Sequence, residues 1–267
     1  MALLTLSNIH KTFEKGTVNE NHVLRGLDLD IEQGDFISVI GGNGAGKSTL
    51  MNSIAGVVDI DEGDIVLDGQ SIRKTSVAAR SKDISRVFQD PRMGTATNLT
   101  IEENMAIAYR RGKKRSFFKK SVTEQERELF KETLTELGLG LENRMKTDAS
   151  FLSGGQRQAL TLAMATLVRP KILLLDEHTA ALDPKTSDMV MHLTKKIVEE
   201  QELTTLMITH NMEHAIEYGN RLIMLYHGKI VVDVRGDEKK NLTVAQLMDL
   251  FHKNSGQALN DDALVLG

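Results

Sequence analysis

Cysteine is absent from all 267 residues, which excludes disulfide staples and thiolate metal sites and suits a reducing compartment. No apolar run approaches the roughly 20 residues that a helix needs to cross a bilayer. A role in transport would therefore require another chain to form the pore. The opening Met1-Ala2-Leu3-Leu4-Thr5-Leu6 has no basic stretch and soon meets polar residues, so it predicts no signal peptide. Excess charge is scarce too. Against 37 acidic residues stand 33 lysines and arginines, a formal net charge of -4, and the surface as a whole is not one built for a polyanion. Repeats and low-complexity segments are missing. Only three prolines occur, Pro91, Pro170 and Pro184, each beside a motif described below. What is present, at 40% hydrophobic residues, suffices for one sizeable core.

Patterning along the chain points to an α/β fold. Residues 3–9 and 23–31 read as β strands, the second alternating apolar and polar positions like a half-exposed antiparallel hairpin. Residues 36–40 and 172–175 are short apolar runs of the kind buried in a parallel sheet, and 84–88, 204–208 and 221–225 read similarly. Between Gln89 and Ser153 the pattern turns helical. Thr100-Ile101-Glu102-Glu103 and Thr123-Glu124-Gln125-Glu126 are capping boxes, and Leu129, Phe130, Leu134 and Leu137 form a core stripe that Gly138 ends. Thr243-Val244-Ala245-Gln246 caps a final helix with Leu247, Met248 and Phe251 on its docking face. These readings predict one domain over 1–252, with a helical part at about 91–160 inserted in the α/β core, and a flexible tail over 253–267.

Chemistry enters at Gly41-Gly42-Asn43-Gly44-Ala45-Gly46-Lys47-Ser48-Thr49, which follows the strand at 36–40 and precedes an apolar helical stretch. Glycines let the backbone wrap a phosphate without Cβ clashes, so that its amides and the next helix's N-terminus face the anion. Lys47 is then expected on the β- and γ-phosphates of ATP and the Ser48 hydroxyl on Mg²⁺. Further on, Ile172-Leu173-Leu174-Leu175-Asp176-Glu177 is a buried strand ending in two carboxylates. Asp176 suits the Mg²⁺ shell, and Glu177 can orient or deprotonate an attacking water. Leu152-Ser153-Gly154-Gly155-Gln156 places an N-cap serine three residues before a glutamine, at the start of a helix running towards Arg169.

Together these motifs resemble the ATP-binding cassette (ABC) ATPases over nearly the whole chain and in the family's order. The resemblance implies a P-loop core of ABC type, with an N-terminal antiparallel β subdomain and an inserted α-helical signature subdomain. It also implies further roles. Phe13 resembles the aromatic that stacks on adenine and Val23 the apolar residue beside that ring. Gln89 resembles the glutamine that reaches Mg²⁺ and the attacking water, and His210 the switch histidine at the γ-phosphate. Ala180-Ala181-Leu182-Asp183 resembles the D-loop. Ser153, Gly154, Gly155 and Gln156 would act on the ATP of a partner copy, in a homodimer that forms with ATP bound. Integral-membrane permease subunits, an extracytoplasmic solute-binding protein and a place at the cytoplasmic face of the membrane are implied as well.

Three positions depart from the family's pattern: His178 stands where proline is usual, Met164 where arginine is common, and Asn211 where aspartate is usual. None removes a catalytic group. The run from Asp176 to Pro184, with Gly94-Thr95-Ala96, is most similar to a bacterial branch described as tryptophan/tyrosine importer ATPases. An exporter or lipoprotein-release motor would share every catalytic residue. A soluble cassette acting on DNA or ribosomes fits less well, because no sustained heptads lie between Thr49 and Leu152 and only one cassette is present; nucleic acid is not expected as a partner. His210-Asn211-Met212-Glu213-His214 spells an inverted zinc-protease pattern, but His210 closes an apolar strand, so no zinc is expected. Seven basic residues lie between Arg110 and Lys120 around Phe117-Phe118. They read as a solvated loop first, then as a lipid-headgroup or permease contact, and as a nucleic-acid contact last.

Overall fold

The computed structural model describes residues 2–113 and 122–255. In chain order it contains β1 (Ala2–Phe13), β2 (Asn21–Glu32), β3 (Phe36–Ile40), α1 (Lys47–Ala55), β4 (Glu62–Leu67), β5 (Gln70–Ser71), α2 (Val77–Arg80), β6 (Ile84–Val87), α3 (Ile101–Tyr109) and α4 (Glu124–Glu136). There follow α5 (Gly154–Thr166), β7 (Ile172–Asp176), α6 (Pro184–Glu200), β8 (Thr205–Ile208), α7 (Met212–Glu217), β9 (Arg221–Tyr226), β10 (Lys229–Arg235), α8 (Gly236–Lys240) and α9 (Val244–Ser255). Two compact units share these elements. One runs up to Arg80 and resumes at Thr204; the other is Ser81–Leu203.

In the first unit, β2, β1, β4 and β5 form an antiparallel sheet in that order. Along β2, buried Leu27, Leu29 and Ile31 alternate with exposed Asp28, Asp30 and Glu32, the half-exposed pattern predicted, although both hairpin strands run longer than expected. A second set lies in the order β10, β9, β3, β8. Strand β3 pairs in parallel with both β8 and β9 and is buried along its whole length, which is why it reads as a continuous apolar run. Ile40, Met212, Leu222, Met224, Leu247 and Phe251 share one core cluster, with Met248 packed against it, so α9 docks by the predicted face. That helix takes in Lys253, Asn254 and Ser255, which the sequence assigns to the tail. The C-terminal end of α1 is closed by Arg80, whose buried guanidinium donates to the carbonyls of Ser53 (2.7 Å) and Ile54 (2.9 Å), satisfying acceptors that a helix end leaves open.

In the second unit β6 and β7 pair in parallel. Both predicted capping boxes close, at Thr100/Glu103 and Thr123/Glu126, and Phe130, Leu134 and Leu137 are buried. Helix α5 ends at Thr166 rather than near Arg169. Arg111 donates to the carbonyls of Ala165 (3.0 Å) and Val168, taking up acceptors that another turn would have needed. Arg111 thus has a structural task within the basic segment, while Lys114, Arg115, Phe117, Phe118, Lys119 and Lys120 lie outside the described residues. Among the described residues no helix is long and apolar enough to cross a membrane.

Candidate active site

The loop between β3 and α1 owes its shape to its glycines. Gly41, Gly44 and Gly46 have φ of +148°, +77° and +105°, values that side-chain-bearing residues rarely adopt. A Cβ on Gly41 would lie 2.3 Å from the Leu225 carbonyl oxygen, and one on Gly46 would lie 3.0 Å from Leu24 Cδ2 and 3.2 Å from the Val23 carbonyl oxygen. Alternating backbone of this kind turns successive amides inward as an anion nest. Lys47 folds back over it, its ammonium donating to the carbonyls of Gly41 (2.5 Å) and Gly42 (3.1 Å) from a buried position. Ala45 is buried beside it, whereas Asn43, Gly44 and Ser48 are exposed and Thr49 is half-buried. Val23 lines the loop at Gly46. Phe13 ends β1 with its ring partly exposed and the Lys11 ammonium 5.3 Å from its centroid.

Parallel register carries a third group to the same strand edge. Val39 pairs with Ile208, and the Thr209 amide donates to the Val39 carbonyl at 3.2 Å. Two residues beyond that pair, one strand has reached Gly41 and its neighbour His210. The helix α7 begins only after His210, capped by Asn211, so the two histidines of the zinc-like pattern do not share a helix.

The second unit repeats this arrangement with different side chains. Val87 pairs with Leu175, so Gln89 and Glu177 each stand two residues past the paired ends of β6 and β7. Asp176 accepts from the Arg86 guanidinium on the adjacent strand, both side chains being largely buried. Arg86 also lies over the Phe88 ring, 4.8 Å from its centroid. Sequence reasoning passed over Arg86; its signal was a cation inside an otherwise uncharged, buried strand. Glu177 has φ of +47°. At the start of α5 the Ser153 hydroxyl accepts from the Gln156 amide (3.2 Å), and the Gln156 side chain accepts from the Ser153 amide (3.2 Å). Ser153 and Gly154 are exposed there, so the hydroxyl and the helix's positive end face outward. Asp183 caps α6 by accepting from Thr186, whose hydroxyl and amide hold the Asp183 carboxyl below its ordinary range.

The donor set suits the expected ligands. The Ser48 hydroxyl of the first unit, and the Gln89 amide and Asp176 carboxylate of the second, are each hard oxygen donors of the kind Mg²⁺ takes. Without a Cβ, Gly41 and Gly46 let the loop pack directly against the carbonyls of Leu225 and Val23, which fixes its curled path.

The family model described as ABC transporter matches residues 24–180. The chain belongs to the ABC transporter family. It is 45% identical over 249 residues to a tyrosine transport ATP-binding protein of Clostridioides difficile, covering 93% of this chain and 98% of that one. A phosphonates import ATP-binding protein of Lactobacillus johnsonii is 34% identical and covers 98% of this chain and 100% of its own. Among solved structures, a dimeric ABC cassette in a post-hydrolysis state with ADP and phosphate superposes with a TM-score of 0.73 at 30% identity, covering 87% of this chain and 98% of that chain. As an ABC cassette the protein is an ATPase that binds ATP, built on the α/β fold that its motifs predicted.

Proposed function

We propose that the protein is the ATP-hydrolysing subunit of a bacterial importer, peripheral to the cytoplasmic face of the membrane and coupled to separate permease subunits. The observation that carries the reading is the pair of parallel registers. They set the cradle and His210 at one strand edge and Gln89 and Glu177 at another, each just past the C-terminal ends where ligands of open α/β sheets bind. The relative named for phosphonate import supports uptake as the direction, and the one named for tyrosine transport supports an aromatic amino acid as solute; an extracytoplasmic binding protein that would deliver it is implied by the family resemblance.

Each residue then has a task. The amides of 41–49 and the Lys47 ammonium bind the phosphates; Phe13 and Val23 take the adenine ring. Ser48, Asp176 and Gln89 would be the residues to hold Mg²⁺, which would neutralise charge on the transferred phosphate. Arg86 keeps the Asp176 carboxylate oriented. Glu177 accepts the proton of the attacking water and His210 contacts the γ-phosphate. Ser153, Gly154, Gly155 and Gln156, with Asp183 nearby in the chain's D-loop, meet the nucleotide of a second copy, so that a homodimer forms around ATP.

Glu177→Gln tests this. Its amide keeps the shape of the carboxylate but cannot take the proton. Turnover should fall on the order of 100- to 10,000-fold, while a fluorescent ATP analogue still binds and size exclusion with light scattering finds an ATP-dependent dimer. Phosphate release near the wild-type rate would sink Glu177 as the base. A monomer at high concentration with ATP and Mg²⁺ would count against the sandwich.

A further inference from the structure

After β7 the chain turns sharply, the Ala180 amide donating to the Glu177 carbonyl at 2.9 Å. His178 therefore occupies the second position of a four-residue turn. Proline is favoured at that position because its ring presets φ, and proline is what the family pattern has after the glutamate. Here that torsional lock is missing. The residue before it, Glu177, sits at φ +47°, a conformation that a residue with a side chain keeps only where its surroundings over-determine it.

The His178 side chain supplies such a constraint. It is buried, with 2% of its surface exposed, and its Nε2 lies 2.9 Å from Thr194 Oγ1 on α6. The Thr194 hydroxyl donates its one proton to the Val190 carbonyl at 2.8 Å. With that proton so placed the hydroxyl accepts from His178, and the tautomer that fits this pairing donates from Nε2. The imidazole thus ties the turn to α6, a helix fixed at its start by the Asp183 cap. Leu182 donates to the Thr179 carbonyl at 3.1 Å, so the turn runs directly into the D-loop and that cap.

We propose that His178 is a positioning residue: through Thr194 it holds the turn 177–180, and with it the Glu177 carboxylate, in place of the lock a proline ring would provide. The proposal rests on Glu177 being the base. Misplacing a reacting group by about 1 Å can cost on the order of 100-fold, which sets the scale of the effect.

The test uses the full chain with His178→Ala, His178→Pro, Thr194→Val and Glu177→Gln, each first checked for cooperative thermal unfolding. His178→Ala and Thr194→Val should lower kcat roughly 10- to 100-fold, with KM for ATP and affinity for a fluorescent analogue within about twofold. Their double variant should be no worse than either alone. His178→Pro should recover kcat to within a few-fold of wild type although it removes the imidazole, the hydrogen bond and side-chain volume. A side chain that merely filled space would give the opposite order, proline being at least as harmful as alanine. That result would overturn the proposal, as would a near-normal kcat in His178→Ala beside an inactive Glu177→Gln. Should Glu177→Gln turn over normally, the base assignment fails instead. Amide hydrogen exchange at 177–180 then decides the tether: faster in His178→Ala and Thr194→Val and near wild type in His178→Pro if it exists, unchanged in all three if it does not.

Discussion

The 41–49 loop and the start of α5 both present backbone amides, yet their glycines are crowded by different things. Around Gly41 and Gly46 the nearest obstacles include main-chain oxygens, of Leu225 and Val23. Around Gly154 and Gly155 they are side chains: Leu182 Cδ2 at 3.3 Å from a Cβ on the first, Thr186 Cγ2 at 2.3 Å from one on the second. At Gly41 the cradle is therefore enforced by backbone, which no substitution elsewhere can trim. The signature is enforced by side chains that can be shortened. Two buried ions, one from each unit, differ in the same way. In the first, Lys239 is held by main-chain carbonyls; in the second, Glu102 is held by Arg127 and Lys146.

Alanine at the tightest glycine of each of these two segments breaks the comparison most sharply. Gly41→Ala should cost more than about 3 kcal/mol, since φ strain of about 1–3 kcal/mol adds to a backbone collision. Nucleotide-analogue binding should be lost with it, and trimming neighbouring side chains should not restore it. Gly155→Ala should cost about 1–3 kcal/mol as overpacking. Adding Thr186→Ser, which deletes the colliding methyl but keeps the hydroxyl for Asp183, should return most of that stability. Thermal unfolding of the single and double variants measures both. Equal rescue, or none in either case, would erase the distinction.

The same contrast governs what was legible in the sequence. Motif residues were readable because phosphate and metal chemistry needs fixed residue types at fixed spacing along the chain. The 41–49 loop, Asp176-Glu177 and the Ser153 cap were all found that way. Partners from distant elements leave no local pattern. Arg86 meets Asp176 across 90 positions and Lys146 meets Glu102 across 44, and neither pair could be read in advance. His178 was visible only as a departure from proline, and its partner Thr194 was not visible at all. Strands β4, β5 and β10 were passed over although their turns were marked. Asp68-Gly69 (φ +52° and +74°) and His227-Gly228 (φ +45° and +76°) are two-residue turns of positive φ, the kind that closes hairpins.

Lys239 sharpens the backbone half of the contrast. Its ammonium donates to the carbonyls of Ile216 (2.7 Å), Tyr218 (2.8 Å) and Gly219 (2.9 Å), tying down the chain where α7 ends. Burial lowers its pKa from 10.5 to about 8. Below pH 8 both folded and unfolded chains carry the proton, and the cost of burying the charge is fully present. Between about 8 and 10.5 the unfolded chain holds more protons, so stability rises with pH. At about 1.4 kcal/mol per pKa unit the gain reaches at most about 3.5 kcal/mol. Denaturant midpoints of wild type and Lys239→Met should therefore diverge in favour of wild type from pH 8 to 10. Parallel curves would mean that the three carbonyls offset the cost of burial.

Glu102 sets the smallest and most reversible effect, because side-chain partners can be released one by one. Burial on α3 raises its pKa, but hydrogen bonds from Lys146 and Arg127 outweigh that, and the carboxyl titrates below its ordinary 4.5. A carboxyl depressed on folding contributes stability above its unfolded pKa and loses it as pH falls through the folded value. Arg127 and Lys146 keep 32% and 76% of their side chains exposed, so both can be rehydrated when the carboxylate is gone. Glu102→Gln should accordingly cost about 1 kcal/mol at neutral pH, less than a fully buried ion pair would. The gap between wild type and Glu102→Gln should stay constant from pH 7 down to about 5 and close below 4.5, as wild type takes up the proton that the variant cannot. Urea midpoints over that range measure it. A gap that persists unchanged well below the carboxyl's titration would show that the cluster acts through shape, as the cradle does, and would put Glu102 on the backbone-enforced side of the comparison.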